Sequence, residues 1–184
     1  MNSDKGMVMI SRVLRRIKQK QSGFTLIELM VSLAIIGAIC LGATIATAQI
    51  INQSSRNDDF TTASRQALNA VHWISRDAQM SHTINGTTGF PVSDNLTIAW
   101  TDWDNSEHEA IYYLENGTLR RSYSVDGGLP QETVVAEYIN ASIGLTNCSY
   151  ANGILTIKIT STVGENEKVV NFTKEANISS RPNI

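Results

Sequence analysis

Residues 24–48 read FTLIELMVSLAIIGAICLGATIATA, with one charge, Glu28. As a helix rising about 1.5 Å per residue, this stretch spans about 37 Å. That crosses a hydrocarbon core of about 30 Å with some tilt. The rest of the 184-residue chain is too small to wrap so apolar a segment as a core helix. The flank sets the orientation. Residues 1–23 carry Lys5, Arg12, Arg15, Arg16, Lys18 and Lys20 against Asp4 alone. The positive-inside rule keeps them in the cytoplasm and sends residues 49–184 out. An ordinary secretory signal has an apolar run of about 7–15 residues that ends at a small residue. Here the run is longer, and the small residue, Gly23, precedes it. A cut at Gly23 would leave the apolar helix on the mature chain.

Glu28 needs an explanation. A carboxylate placed deep in a membrane costs on the order of 2–3 kcal/mol. No Lys or Arg occurs between Gly23 and Arg56. A cut after Gly23 would create an amine on Phe24, the nearest available cation, with a pKa of about 7.7–8.0. A pair between that amine and Glu28, within one chain or between neighbours, would offset the burial.

The stretch Gly23-Phe24-Thr25-Leu26-Ile27-Glu28-Leu29 behind a basic leader resembles the cleavage and methylation motif of type IV pilins and pseudopilins. The resemblance is close over about residues 10–50. It implies cleavage between Gly23 and Phe24 by a prepilin peptidase, and N-methylation of Phe24. It implies that Glu28 pairs with the Phe24 amine of a neighbouring subunit and sets the register of a filament. The partners it implies are other pilin or pseudopilin subunits, the prepilin peptidase/methyltransferase, an inner-membrane assembly platform, and lipid before assembly. The location it implies is the bacterial inner membrane, crossed once, with the C-terminal domain outside the cytoplasm, and then a filament. The helix departs from many major pilins in having no proline. Gly37 and Gly42 are its soft points.

The remaining sequence reads as an α+β domain. Phe60, Ala63, Ala67, Val71, Ile74 and Ala78 step at helical period. Arg56, Asp58, Arg65, Arg76 and Asp77 fall off that stripe. One helix over about residues 24–82 is expected, its later part packed on an antiparallel β-sheet, the arrangement of a pilin. The expected divisions are a cleaved leader 1–23, a membrane or filament-core segment 24–48, an amphipathic continuation 49–84, and a β-rich domain 85–184. Strands are expected at Leu96–Trp100, Ala110–Glu115, Leu119–Ser124, Thr133–Ile139, Ser142–Thr146, Ile154–Thr160 and Lys168–Thr173. Asn116-Gly117 and Asn152-Gly153 signal hairpin turns, and Gly164-Glu165 signals another turn. Residues Asn177 to Ile184 read as a frayed tail.

Few residues point to chemistry. Residues 24–184 hold nine basic against sixteen acidic side chains. That is no nucleic-acid surface, and no direct nucleic-acid partner is expected. Asp102, Asp104 and Glu107 crowd oxygen ligands and are candidates for calcium, but without the glycine and terminal glutamate of an EF-hand loop. The solvated surface loop is the preferred reading, and no cofactor is expected. His72, His82 and His108 are not spaced as metal ligands. No nucleophile–base or phosphate-loop signature appears, so no enzyme is expected. Cys40 and Cys148 are expected not to pair, and Cys148 to be a buried thiol. Trp100 and Trp103 read as core or sheet-edge residues, with partner contact as the sharper alternative.

The leading expectation is therefore a minor pilin or minor pseudopilin. The stretch around Ala70–Met80, followed by Tyr112-Tyr113-Leu114 and Leu119-Arg120-Arg121, resembles the minor pseudopilin J or pilus-assembly W type, and Glu28 argues against the K-type. A DNA-uptake pseudopilus subunit is the first alternative. A membrane-anchored binding domain or enzyme with a pilin-like anchor is the second.

Overall fold

The computed structural model describes residues 24–164 and 169–181. The leader, including Gly23, lies outside the described residues. The chain divides into two units at Ile51/Asn52. A single helix, α1 (Leu26–Met80), runs through the division unbroken. No glycine or proline occurs from Ala43 to Asn85 to interrupt it. Thr25 stands just before its first turn. At the other end Ser81 donates its amide (3.2 Å) and its hydroxyl (2.7 Å) to the Ala78 carbonyl, tightening the last turn.

Within the second unit α1 packs on antiparallel strands, the expected α+β arrangement. The strands form two sheets, where one was expected. The first is a five-stranded meander in chain order: β1 (Thr83–Asn85), β2 (Leu96–Thr101), β3 (Glu107–Glu115), β4 (Thr118–Val125) and β5 (Gln131–Ala136). The second contains β6 (Asn147–Ala151), β7 (Ile154–Val163) and β8 (Val170–Ser179). An isolated bridge, Ile139↔Ser161, links the stretch after β5 to β7.

The hairpin signals read correctly. Asn116 (φ 49°) and Gly117 (φ 77°) both adopt positive φ, as do Asn152 (φ 52°) and Gly153 (φ 76°). Two such residues in a row make the tight turn whose twist matches the flanking strands. They set the registers Glu115↔Thr118 and Ala151↔Ile154.

Several expectations need correction. The strand expected at Ser142–Thr146 is a turn. Asn140 Oδ1 accepts the Ser142 amide (2.9 Å), and the Ser142 carbonyl accepts the Leu145 and Thr146 amides (2.8 Å each). A side chain that caps its own backbone this way competes with a ladder, so the strand starts later, at Asn147. The strand expected at Thr133–Ile139 stops at Ala136, because Tyr138 takes φ 60° and breaks the extended run. The last strand continues to Ser179, well into the expected tail. Buried Ile178 holds it, and the Arg181 amide donates to the Ser81 carbonyl (3.1 Å). Lys168, Glu165 and residues 182–184 lie outside the described residues.

The core sits between α1 and the sheets. Ala63, Ala67, Ala70, Val71, Ile74 and Ala78 are buried on the helix. Leu96, Ile98, Ala110, Tyr112 and Leu119 are buried on the facing strands. The alanines let the sheet approach the helix backbone closely. Phe60 is no core residue: it is half exposed and meets Phe172 edge to face, 5.6 Å between centroids.

Asp77 also departs from the expected stripe, since it is fully buried. Its Oδ2 accepts the Tyr112 hydroxyl (2.5 Å) and the Arg121 Nε–H (2.6 Å). The Arg76 Nε lies 3.6 Å from Oδ1. Burial acts to lower the Arg121 pKa, but the hydrogen bond and charge of Asp77 outweigh it and raise it. Burial first, then the Asp77 charge, drives the Tyr112 phenol above the ordinary phenol range. The Arg121 guanidinium also lies over the rings of Tyr123 (4.4 Å) and Trp73 (5.4 Å).

Removing one partner from a buried ion pair strands the other charge, at about 3–5 kcal/mol. Asp77→Ala should therefore destabilise the detergent-solubilised full chain by about that much, read by chemical unfolding with tryptophan fluorescence. The triple variant Asp77→Leu/Arg121→Met/Tyr112→Phe should recover most of the loss, because well-packed apolar groups replace the whole network.

Candidate functional site

Two regions carry candidate function, one in each unit. The first is the head of α1. The Thr25 amide and hydroxyl both donate to Glu28 Oε2 (3.0 Å each), and the Glu28 amide faces Thr25 Oγ1 (3.4 Å). The Leu29 amide donates to the Thr25 carbonyl (3.2 Å), closing the first turn. This is a reciprocal capping box, in which an N-cap threonine and a glutamate three residues on satisfy each other's amides. The acid also faces the positive end of the helix dipole. The pattern Thr-x-x-Glu is a local sequence signature of such a cap. Phe24, the expected methylation site, is 81% exposed.

The segment behind this cap has nothing covering it. Every large apolar side chain from Phe24 to Ile51 is more than half exposed. Burying each is worth about 1.5–3 kcal/mol. For the whole row the driving force is on the order of 20 kcal/mol or more, which excludes a water-exposed resting state. Among the described residues α1 is the one helix long and apolar enough to cross a membrane. Two of its hydroxyls are satisfied internally: Thr44 and Thr47 donate to the Cys40 and Ala43 carbonyls (2.8 and 2.9 Å). A Cβ added at Gly37 or Gly42 would meet no atom.

The second region is the end of the five-stranded sheet where β2 turns into β3 and β4 into β5. Here Trp100, His108 and Tyr123 stack on one face, with centroids 5.2–6.0 Å apart and nearly parallel planes. The register Trp100↔His108 and Ala110↔Tyr123 places them there. His108 Nδ1 lies 2.6 Å from the Tyr123 hydroxyl, and its Nε2 lies 3.0 Å from Asp102 Oδ2. A cleft of about 300 Å³ lies at this end of the sheet, on the face of Thr101, Glu107, Glu109 and Ser124 opposite the stack, and His82 and the strand at His108 also border it.

The structure sorts the sequence candidates. Asp102 is taken up by His108, and Asp104 Oδ1 accepts the Ser106 amide (3.1 Å), which holds its carboxyl below the usual range. The Glu107 amide donates to Asp126 Oδ1 (2.8 Å). Among the described residues, no three His, Cys, Asp or Glu side chains converge as metal ligands would, so Asp102, Asp104 and Glu107 are not brought to one point. His82 and His108 line the same cleft, while His72 is exposed on α1. The two tryptophans separate: Trp100 is 6% exposed and Trp103 is 96% exposed.

Among known families, the model of the prokaryotic N-terminal methylation motif matches residues 18–44. No curated protein and no solved structure matches the chain. The match covers the leader's end, Gly23, Phe24 and Glu28, and it supports the type IV pilin and pseudopilin resemblance.

Both cysteines are free. Cys148 is buried on β6, its Sγ 3.6 Å from the Thr87 carbonyl, and burial pushes its thiol up to about 12. At pH 8 its thiolate fraction is then roughly one in ten thousand. A Cys40→Ser variant should therefore resist iodoacetamide at pH 8 while folded and label fully in denaturant, as read by intact mass. Rapid labelling of the folded chain would show that the thiol is accessible.

Proposed function

We propose that this chain is a minor pilin or minor pseudopilin, a structural subunit of a type IV pilus or a type II secretion pseudopilus. The methylation motif marks a pilin- or pseudopilin-like subunit, processed by prepilin peptidase and assembled with other pilin subunits. One observation carries the reading: that motif heads an apolar helical segment whose large side chains, from Phe24 to Ile51, are all more than half exposed. The helix is a single membrane anchor suited to pilin-type insertion.

In this reading the basic leader faces the cytoplasm and is cut between Gly23 and Phe24. The freed Phe24 amine is methylated. The helix waits in the inner membrane until an assembly platform draws it into a filament. Apolar segments then exchange lipid contacts for one another. Glu28, which caps its own helix through Thr25, gains a charged partner in the Phe24 amine of a neighbour. The energy is in the apolar contacts, and the ion pair sets the register. The minor type is favoured by a domain built from two hairpin meanders and by the absence of a cysteine-closed loop. The role is mechanical, and we assign no cofactor and no catalysis to it.

The test is the N-terminus of the protein from native membranes. Wild type should begin at N-methylated Phe24, by sequencing and intact mass. Gly23→Ala, and wild type in a strain lacking the prepilin peptidase, should each retain the leader. A cut after Ala48, or an uncut wild-type chain, would overturn the reading.

A further inference from the structure

Helix and sheet make two layers in the second unit, and each layer has an outward face. On α1, buried Ala63, Ala67, Ala70 and Ile74 face the core. The opposite side of the helix carries Arg65, Leu68, His72 and Arg76, spaced three or four apart, and all four are exposed. Arg76 leans on the Trp73 ring (4.3 Å) with its side chain still half exposed. Asp77 is the one acid between Thr61 and Met80, and it is buried. This face is therefore basic around an apolar centre, Leu68.

The strand register fixes the outward face of the five-stranded sheet. Ala110 and Tyr112 point from β3 into the core, so Glu107, Glu109, Ile111, Tyr113 and Glu115 point away from it. Ile111 lies beside Ser122 on β4, and Ser122 beside Glu132 on β5. Ile111 and Tyr113 are half-buried at the centre of this face, with Val134 next to them, 49% exposed. The Tyr113 hydroxyl donates to Glu132 Oε2 (2.6 Å), which holds the ring in place. The rim is acidic. Arg120, in the same layer, pairs with Glu115 (3.1 Å), and Glu107, Glu109 and Glu132 stand in excess of it.

Both faces have an apolar centre and a charged rim, the usual anatomy of an interface, and their rims are of opposite sign. Each face therefore finds its electrostatic complement on the other side of the same molecule. A two-fold contact would set a face against itself, with like charges opposed. A second copy presented in the same orientation sets arginine against glutamate and Leu68 against Ile111 and Tyr113. We propose that copies of this chain dock side by side, the outward face of α1 in one copy lying on the outward face of the five-stranded sheet in the next. The contact is heterologous, so each pair keeps one free face of each kind and further copies can add in a row. The inference rests on the filament reading for its setting, in which copies stand together in a membrane, and names the surfaces by which they meet.

The test is disulfide cross-linking of the full chain in bacterial membranes that lack prepilin peptidase, so the result does not hang on processing. Two differently tagged chains are co-expressed in a Cys40→Ser background, one with Leu68→Cys and the other with Ile111→Cys. Ser122→Cys, on the neighbouring strand, replaces Ile111→Cys if that variant misfolds. Oxidation should join the Leu68→Cys chain to the Ile111→Cys chain, and neither chain to its own kind. Adding Arg65→Glu/His72→Glu to the Leu68→Cys chain should lower the yield about tenfold. Adding Glu107→Lys/Glu109→Lys to its partner should then restore it. Predominant joining of like chains would show a two-fold contact and overturn the proposal. Absence of cross-links would overturn it as well, and so would a loss on the helix that the sheet reversal does not restore. An N-terminus of methylated Phe24 beside a negative result here would leave the filament reading standing and remove only this contact.

Discussion

The fold of the second unit depends on the buried contact of Asp77 with Arg121 and Tyr112. Apolar burial supplies the larger energy, but it tolerates sliding, since an alanine stripe against a sheet offers several nearly equivalent positions. A carboxylate with no access to water does not tolerate it. Asp77 must meet the hydroxyl on β3 and the guanidinium on β4 together, which fixes α1 along and across the sheet. The same guanidinium lies over Tyr123, whose ring stacks with His108 and Trp100. The helix–sheet lock is thereby continuous with that aromatic stack.

The two units answer different constraints. The second closes its own core from helix and sheet. The head of α1 closes nothing. It satisfies its first amides through the Thr25–Glu28 box and leaves a full row of large apolar side chains for lipid or for other helices. A chain of this design is finished by its surroundings. The capping box also gives Glu28 a hydrogen-bonded place before any charged partner arrives, so the acid is never left without polar contacts.

Much of the architecture was legible in the sequence where the signal is local. Helical spacing, with no Gly or Pro after Gly42, gave the course of α1 to within two residues at either end, and Asn-Gly pairs located two hairpins. Errors came where a side chain or a single φ overrode the pattern. Asn140 turned an apolar alternation at Ser142–Thr146 into a capped turn, and Tyr138 ended β5 early. Asp126-Gly127, with φ 51° and 67°, carries the same turn signal as the Asn-Gly pairs. The three residues of β1 are too few to show any period.

What the sequence determined by itself is the head of the chain: a basic leader, Gly23-Phe24, Glu28, and an apolar run of membrane length. These are properties of composition and adjacent spacing, and no folding is needed to express them. The tertiary structure alone decided which charges and rings are hidden. Asp77 looked like a surface residue until two strands, thirty-five and forty-four positions away, brought it Tyr112 and Arg121. Trp100 and Trp103, three residues apart, were equivalent in the sequence. One lies in the ladder with its side chain on the buried face, and the other falls on the turn beyond it. Burial of a polar group depends on partners distant in sequence, and no local pattern encodes them.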